Sequence, residues 1–295
     1  MLVVENGALN STHLHLQKAT GVPLLAYWVF QYAFADTCST VTSGAMIGRC
    51  DFIGDLLYSV GVTGFIYPII GHWAWGPDGW LAVMAPISFH DFAGSTVVHT
   101  IGAAISLAGA IVLGPRLGRV FKRDGGAPMK PHDLIIGATG GLILWFGWYG
   151  FLRIDDPIGA VPVHMMAGIW GTLSLGLFAA GKYGSPTPMG ADTSTVVTGL
   201  FYGGGFGVLI SQMIGSFSIT IATFVAAMAL MYGVQIAFRL RIPTEGEIEG
   251  LDLHKHGFPA YPEYVVTGDD GCPKTIDDVP IGRRTFAKPS KKRAA

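Results

Sequence analysis

The chain has 295 residues, a formal net charge of −1 and only 13% charged residues, against 50% apolar ones. Soluble domains carry about 25% charged residues, so this composition argues against a soluble domain, and the near-neutral balance leaves no basic footprint for nucleic acid. The three cysteines, Cys38, Cys50 and Cys272, have neither the pairing nor the spacing of a disulfide framework or a zinc site. The composition is that of an integral membrane protein.

Six segments are apolar and long enough to cross a lipid bilayer as helices, for which about 20 mostly apolar residues are needed. In chain order they are 23–47, 53–74, 92–114, 133–152, 160–181 and 207–238. Residues 1–22 form a polar N-terminal segment, and residues 239–295 form a polar tail. The sequence therefore predicts an all-α, polytopic transmembrane helix bundle of about six spans, with a transmembrane domain at 23–238.

Basic residues predict which ends of these spans face the cytoplasm. Five of them follow the third span: Arg116, Arg119, Lys122, Arg123 and Lys130. Arg239, Arg241 and the basic residues of 288–295 predict that the tail is cytoplasmic as well. Six alternating spans, however, would put the loop and the tail on opposite sides. Either residues 195–238 hold two spans, or an odd number of helices is absent.

Two segments of the chain share one spacing. Asp91 to His99 and Asp156 to His164 both read D-x-x-G-x-x-x-V-H, and each lies at the start of a predicted span. Internal repeats are common in transport folds, so the match suggests a duplicated unit. An acid at a helix start accepts hydrogen bonds from free backbone N–H groups and favours the positive end of the helix dipole. The simpler interpretation of Asp91 and Asp156 is therefore helix capping.

The histidine that ends each repeat lies about two turns into its span, among apolar residues. A polar side chain at that depth usually faces the interior of a helix bundle. One such histidine is most simply a hydrogen-bonded packing residue, but two at matched depth predict that His99 and His164 line a pore. Imidazole suits a small polar solute because one nitrogen donates while the other accepts. His72 and His90, at helix ends or in loops, are predicted to be solvated or interfacial.

Aromatic residues are the third candidate group. Phe30 and Phe34 lie one turn apart in the first span, Trp75 lies at the outer end of the second, and Phe151 ends the fourth. Packing explains any one of them, although aromatic faces also hold cations with about 0.5–2 kcal/mol. Asp36 is an unusual charge within a span, and we expect it to face a polar cavity or lie near a helix end. No spacing indicates a nucleophilic triad, a nucleotide loop or a carboxylate pair, and no enzyme, metal or cofactor is predicted.

Five groups of residues, in order along most of 27–261, resemble the ammonium transporter (Amt/Mep/Rh) family. They are Tyr67-Pro68 with His72 to Gly76, Asp91 to His99, Leu144 to Phe151, Val163 to Thr172, and Arg241-Ile242-Pro243 with Glu249 to Asp252 and His256-Gly257. The second group is close to the family signature D-F-A-G-x-x-V-V-H. The resemblance implies a fold of eleven helices, in two inverted five-helix halves plus a long last helix, and a homotrimer with one pore in each protomer.

The resemblance also implies roles for particular residues. Trp75 would line an outer site that recruits ammonium, and Asp91 would support that site structurally. Phe34 and Phe151 would be a stacked gate with Phe30 beside it. The twin pore histidines would be His99 and His164. The implied function is passage of ammonium or ammonia across a lipid bilayer, in the plasma membrane, with a possible cytoplasmic regulator at the tail.

The chain also departs from the family pattern. The N-terminal region lacks the first two helices, and after Phe151 the chain passes directly to Leu152 and Asp156, so helices seven to nine are missing. Three is an odd number, which accounts for the orientation conflict. Gly48 stands where the family usually has a glutamate. The alternative is therefore a truncated, non-conducting or regulatory subunit, and a third possibility is a haem or metal protein with His99 and His164 as axial ligands.

Overall fold

The computed structural model describes residues 4–5, 8–9, 24–76, 78–91, 94–119, 155–180 and 197–257. The long helices in this part of the chain are α1 (Leu24–Met46), α2 (Phe52–Trp75), α3 (Ser95–Leu113), α4 (Val161–Phe178) and α5 (Phe206–Phe238). Two short helices follow, α6 (Thr244–Glu249) and α7 (Leu251–His256). An antiparallel pair of two-residue strands, β1 (Val4–Glu5) and β2 (Ala8–Leu9), precedes them. The predicted polytopic helix bundle is confirmed.

Among the described residues, α2, α3, α4 and α5 are long and apolar enough to cross a membrane. The 23 residues of α1 are sufficient in length, but the polar run from Asp36 to Ser43 lowers its hydropathy. Of the two placements predicted for Asp36, the helix end is wrong, because Asp36 lies near the middle of α1 with an exposed side chain. The predicted span 133–152 lies outside the described residues.

Helix α3 is the centre of the bundle. Of its most apolar part, 78% is buried inside the protein, compared with 28% to 33% for the other three apolar spans. Small residues such as Gly102 and Gly109 let α1 approach α3 closely, since a side chain at either position would collide with Val41 or Met46 of α1. The outward faces of the surrounding helices carry exposed apolar residues, for example Phe65 in α2, as expected for contact with lipid.

A set of charged side chains joins the helix ends on one side of the bundle. Arg49, which is fully buried, donates hydrogen bonds to the carbonyl oxygens of Ala45, Gly114 and Asp155 at 3.0, 2.8 and 2.6 Å. Arg116 donates to both carboxylate oxygens of Asp155, at 2.7 and 3.0 Å. Burial acts to raise the pKa of the Asp155 carboxyl, but the hydrogen bonds and positive charge of Arg116 outweigh it and hold that pKa below its usual range.

The first part of the polar tail is folded against this same end. Arg241 donates to the Leu113 carbonyl oxygen at 2.8 Å and pairs with Glu247 at 2.8 Å. Lys255 pairs with Asp51 at 2.7 Å, which ties α7 to the start of α2. The loop after α3 and the tail therefore lie on one side of the bundle, as their basic residues predicted.

Both flanks of the predicted span 133–152 lie at this charged end. Arg119, shortly before that span in sequence, and Asp155, just after it, are 3.6 Å apart. Helix α4 thus starts at the end where α3 finishes, and the two helices run antiparallel. If the chain crossed the membrane once between residues 119 and 155, these two residues would lie on opposite sides, yet they lie on the same side. The orientation conflict found in the sequence is therefore also present in three dimensions.

Candidate functional site

The two repeat histidines meet between α3 and α4. The Nδ1 atoms of His99 and His164 are 3.0 Å apart, and the ring planes differ by 3° with centroids 5.1 Å apart. A hydrogen bond between two Nδ1 atoms uses one proton, so one imidazole donates at Nδ1 while the other accepts there. In a neutral pair the accepting ring therefore carries its proton on Nε2. Each ring keeps one nitrogen that can bind a small polar solute.

The acids that begin the two repeats cap the helices that follow them. The Asp91 carboxylate accepts a hydrogen bond from the Thr96 backbone N–H at 2.7 Å. The Asp156 carboxylate accepts from the backbone N–H groups of Ala160 and Val161, at 2.9 and 2.6 Å. These bonds satisfy backbone donors that lack partners in the first turn of a helix. The predicted capping role is confirmed for both acids.

The glycine of each repeat has the same unusual backbone conformation. Gly94 has φ +75° and Gly159 has φ +70°, in the left-handed region that favours glycine. Each is followed by a π-helical turn that contains the histidine, Ser95–Thr100 in α3 and Val161–Met166 in α4. A π turn changes the direction in which later side chains point and is frequent at functional sites. The sequence repeat is therefore also a repeat of local structure.

The Asp91 carboxylate also connects the start of α3 to the aromatic residues. The indole N–H of Trp75 donates to Asp91 Oδ2 at 3.1 Å. Burial raises the pKa of the Asp91 carboxyl to about 6, although the Thr96, Val97 and Trp75 hydrogen bonds act in the opposite direction. Asp91 therefore holds Trp75 and the first turn of α3 in one arrangement.

Three of the four predicted aromatic residues form one cluster. The rings of Phe30 and Phe34 are 4.7 Å apart at 84°, and those of Phe34 and Trp75 are 5.5 Å apart at 75°. Both contacts are edge-to-face, the geometry that aromatic quadrupoles favour. Phe30 is 55% exposed, so the cluster reaches the surface of the described bundle. The fourth residue, Phe151, lies outside the described residues.

The prediction for His90 is wrong. His90 is buried, and its backbone N–H donates to Gln212 Oε1 at 2.9 Å while its backbone oxygen accepts from Gln212 Nε2 at 2.6 Å. Gln212 lies in the apolar helix α5 and satisfies the buried backbone of a loop 122 residues away in sequence. His72 does lie at a helix end, 3.0 Å from Asp78.

Three buried hydroxyl groups were not predicted as site residues. Thr96 in α3 and Thr172 in α4 have their Oγ1 atoms 2.6 Å apart, and Thr96 also donates to Ser216 Oγ in α5 at 3.3 Å. Within an apolar helix, the spacing of Gln212 and Ser216 at i and i+4 is the signal that marks this face of α5 as a helix contact.

Long apolar helices around a partly buried pair of histidines define a polytopic α-helical integral membrane protein. The Ammonium Transporter Family matches residues 3–151 and 152–261, and the chain belongs to this family. The match divides between Phe151 and Leu152, the position at which the sequence predicts three missing helices.

Individual relatives agree with this assignment. "Ammonium transporter Amt2" of Archaeoglobus fulgidus is 30% identical over 344 residues, covering 83% of this chain and 72% of the relative. "Ammonium transporter 1 member 1" of Oryza sativa is 27% identical, covering 80% and 68%. The solved structure "Sensor Amt Protein" has a TM-score of 0.62 and 25% identity, covering 78% of this chain and 76% of that one. The alignment of 344 residues is longer than this chain, so the relative contains residues that this chain lacks.

Proposed function

We propose that the chain carries ammonium as ammonia through a pore that His99 and His164 line. The observation that supports this most strongly is their Nδ1–Nδ1 contact of 3.0 Å between antiparallel spans. Ammonia both donates and accepts hydrogen bonds, and each imidazole of the neutral pair retains one nitrogen for such a bond. The pair can therefore replace part of the water that the solute loses on entering the membrane.

The aromatic cluster supports a recruitment step ahead of the histidines. Trp75 packs edge-to-face with Phe34 and donates to the buried Asp91 carboxylate. An ammonium ion at these rings gains a cation–π attraction of about 0.5–2 kcal/mol. Taking the full charge deeper is expensive in a medium without water. The ion would therefore give up its proton to water at the exposed side of the cluster. Neutral ammonia would go on towards the histidines, and the proton would cross separately or by relay.

The test of the histidine role is the double variant His99→Ala/His164→Ala. Ammonium and methylammonium uptake would be measured in cells that lack other ammonium transporters. We expect a change of about tenfold or more in flux or in selectivity, since loss of well-placed polar partners costs on this scale. His254→Ala is the matched control, because His254 lies in α7, outside the spans, and pairs with Glu249. Unchanged, ammonium-specific uptake by the double variant would refute the role.

A second candidate function is a non-conducting or regulatory subunit. The observation that favours it is the 3.6 Å distance between Arg119 and Asp155, which puts both residues on the same side of the bundle. This agrees with the loss of an odd number of helices from the family fold. Uptake by cells that express this chain alone would defeat this candidate. An effect that occurs only when a full-length family member is co-expressed would support it.

The haem-protein alternative receives no support from the site. A metal ion held between the two facing Nδ1 atoms would keep them about 4 Å apart, since zinc–histidine bonds are about 2.0–2.1 Å long. The Nδ1 atoms here are 3.0 Å apart.

We further propose a homotrimer in the plasma membrane, and contact with a cytoplasmic regulator near the folded start of the tail.

A further inference from the structure

Helices α3 and α4 are in close backbone contact just beyond the histidine pair. A Cβ atom at Gly168 of α4 would overlap the Ser95 carbonyl oxygen of α3, and one at Gly171 would lie 2.9 Å from Ser95 Oγ. Only glycine leaves room for the backbones at this separation. The two glycines therefore form a groove on α4 that receives the π turn of α3.

A cluster of three hydroxyl groups, Thr96, Thr172 and Ser216, closes this contact. We call it the hydroxyl node. Its three members are almost completely buried, and the 2.6 Å bond between Thr96 and Thr172 joins α3 directly to α4. A buried hydroxyl that loses its partner destabilises the fold, so this bond disfavours other alignments of the two helices.

The hydroxyl node is close to the histidines along both helices. Thr96 precedes His99 by one turn, and Thr172 follows His164 by about two turns, or about 12 Å at 1.5 Å per residue. Because the helices are antiparallel, the node and the histidine contact are two fixed points of one alignment. A slip of one residue shifts a helix by about 1.5 Å and turns its side chains by about 100°, which would break a contact of 3.0 Å.

We propose that Thr172, with Thr96 and Gly168, is a positioning residue that sets the alignment of α4 on α3 and so brings the two imidazoles together. The alignment of the two helices does not depend on transport, whereas its consequence for flux rests on the proposed function. Thr172→Val removes the hydroxyl while nearly keeping the volume. Thr172→Ser keeps the hydroxyl and is the conservative rescue.

The experiment uses the full chain, labelled with ¹⁵N-histidine and reconstituted in lipid bilayers. Solid-state NMR would detect the dipolar cross-peak between two nitrogens 3.0 Å apart, and its loss in His99→Ala would assign it. We expect Thr172→Val to lose most of the cross-peak and Thr172→Ser to retain it. Thr63→Val is the matched control, since the Thr63 hydroxyl donates to the Ser59 carbonyl oxygen within α2.

A full cross-peak in Thr172→Val would overturn the inference. Gly168→Ala is an independent second variant, and it should also weaken the cross-peak, because the added methyl group displaces α4. If neither variant folds while Thr172→Ser does, the node serves folding alone and the inference fails. Uptake separates the two proposals: a flux-neutral His99→Ala/His164→Ala variant refutes the histidine role, whereas a cross-peak insensitive to Thr172 refutes only the positioning role.

Discussion

At the scale of single residues, position in the tertiary structure decides how a side chain of a given chemistry behaves. Asp91 and Asp78 are both acids outside the spans, yet Asp91 is buried and bonded to Trp75 and to the first turn of α3, whereas Asp78 is exposed beside His72. Trp75 and Trp80 differ in their partners. Trp75 donates to Asp91, whereas Trp80, in the loop after α2, contacts Trp73 and is 44% exposed.

Trp75→Phe tests the recruitment site at this scale. Phenylalanine keeps a ring but loses the indole N–H that donates to Asp91, and it is a weaker partner for a cation. We expect the apparent KM for ammonium or methylammonium to rise about threefold to tenfold, within the range of a cation–π contribution, with a smaller effect on maximal flux. Trp80→Phe should leave both parameters unchanged, and equal effects of the two substitutions would contradict a specific role for Trp75.

At the scale of secondary-structure elements, the starts of α3 and α4 repeat one device: an acidic cap, a glycine with positive φ and a π turn that contains the histidine. The device orients each histidine relative to its own helix. The two copies differ in how closely the valine of the repeat packs on the glycine. A Cβ atom at Gly94 would lie 2.6 Å from Val98, whereas one at Gly159 would lie 3.8 Å from Val163.

Gly94→Ala and Gly159→Ala separate the cost of the left-handed backbone from the cost of steric crowding. At Gly159 the nearest side-chain atoms to a new Cβ are 3.7 Å away, so we expect only the cost of a left-handed residue, about 1–2 kcal/mol. At Gly94 the Cβ would lie 2.6 Å from Val98, and we expect a larger loss. Thermal unfolding in detergent would measure both, and equal losses would show that backbone conformation alone matters at these positions.

At the scale of the whole molecule, one charged end holds the termini of α1, α2, α3, α4 and α5 together. Asp155 is its centre, because Arg116 and Arg119 both pair with its carboxylate and Arg49 bonds its carbonyl oxygen. The tail adds Arg241 and Glu247 to the same end. Removing one partner from a buried ion pair leaves charge without compensation.

Asp155→Asn should therefore destabilise the whole bundle, by about 3 kcal/mol, with unfolding followed in detergent. Because the pKa of Asp155 is lowered in the folded state, its carboxylate stabilises the fold at any pH above the unfolded-state pKa of about 3.9. This contribution is lost as the pH falls through the folded-state pKa. The variant should lack this part of the acid sensitivity. Asp78→Asn, at an exposed pair, should cost less than about 0.5 kcal/mol, and a similar loss in both variants would contradict the assignment.

Local pattern was sufficient for much of this protein. Apolar length predicted the four helices that are long and apolar enough to cross a membrane. Basic residues predicted that the loop after α3 and the tail share one side. The repeated spacing predicted both caps and selected His99 and His164. Each of these rests on residues close together in sequence or on a property that every lipid-embedded helix must satisfy.

Only the tertiary structure decided which distant groups meet. The burial of His90 depends on Gln212, 122 residues away, and the hydroxyl node joins Thr96 to residues 76 and 120 positions later. Nothing in the local spacing of these residues specifies such partners, because a buried polar group accepts any donor or acceptor that packing brings within reach. The sequence by itself determined a membrane-spanning helix bundle with two matched histidines, whereas the antiparallel packing of α3 on α4 decided that those histidines touch.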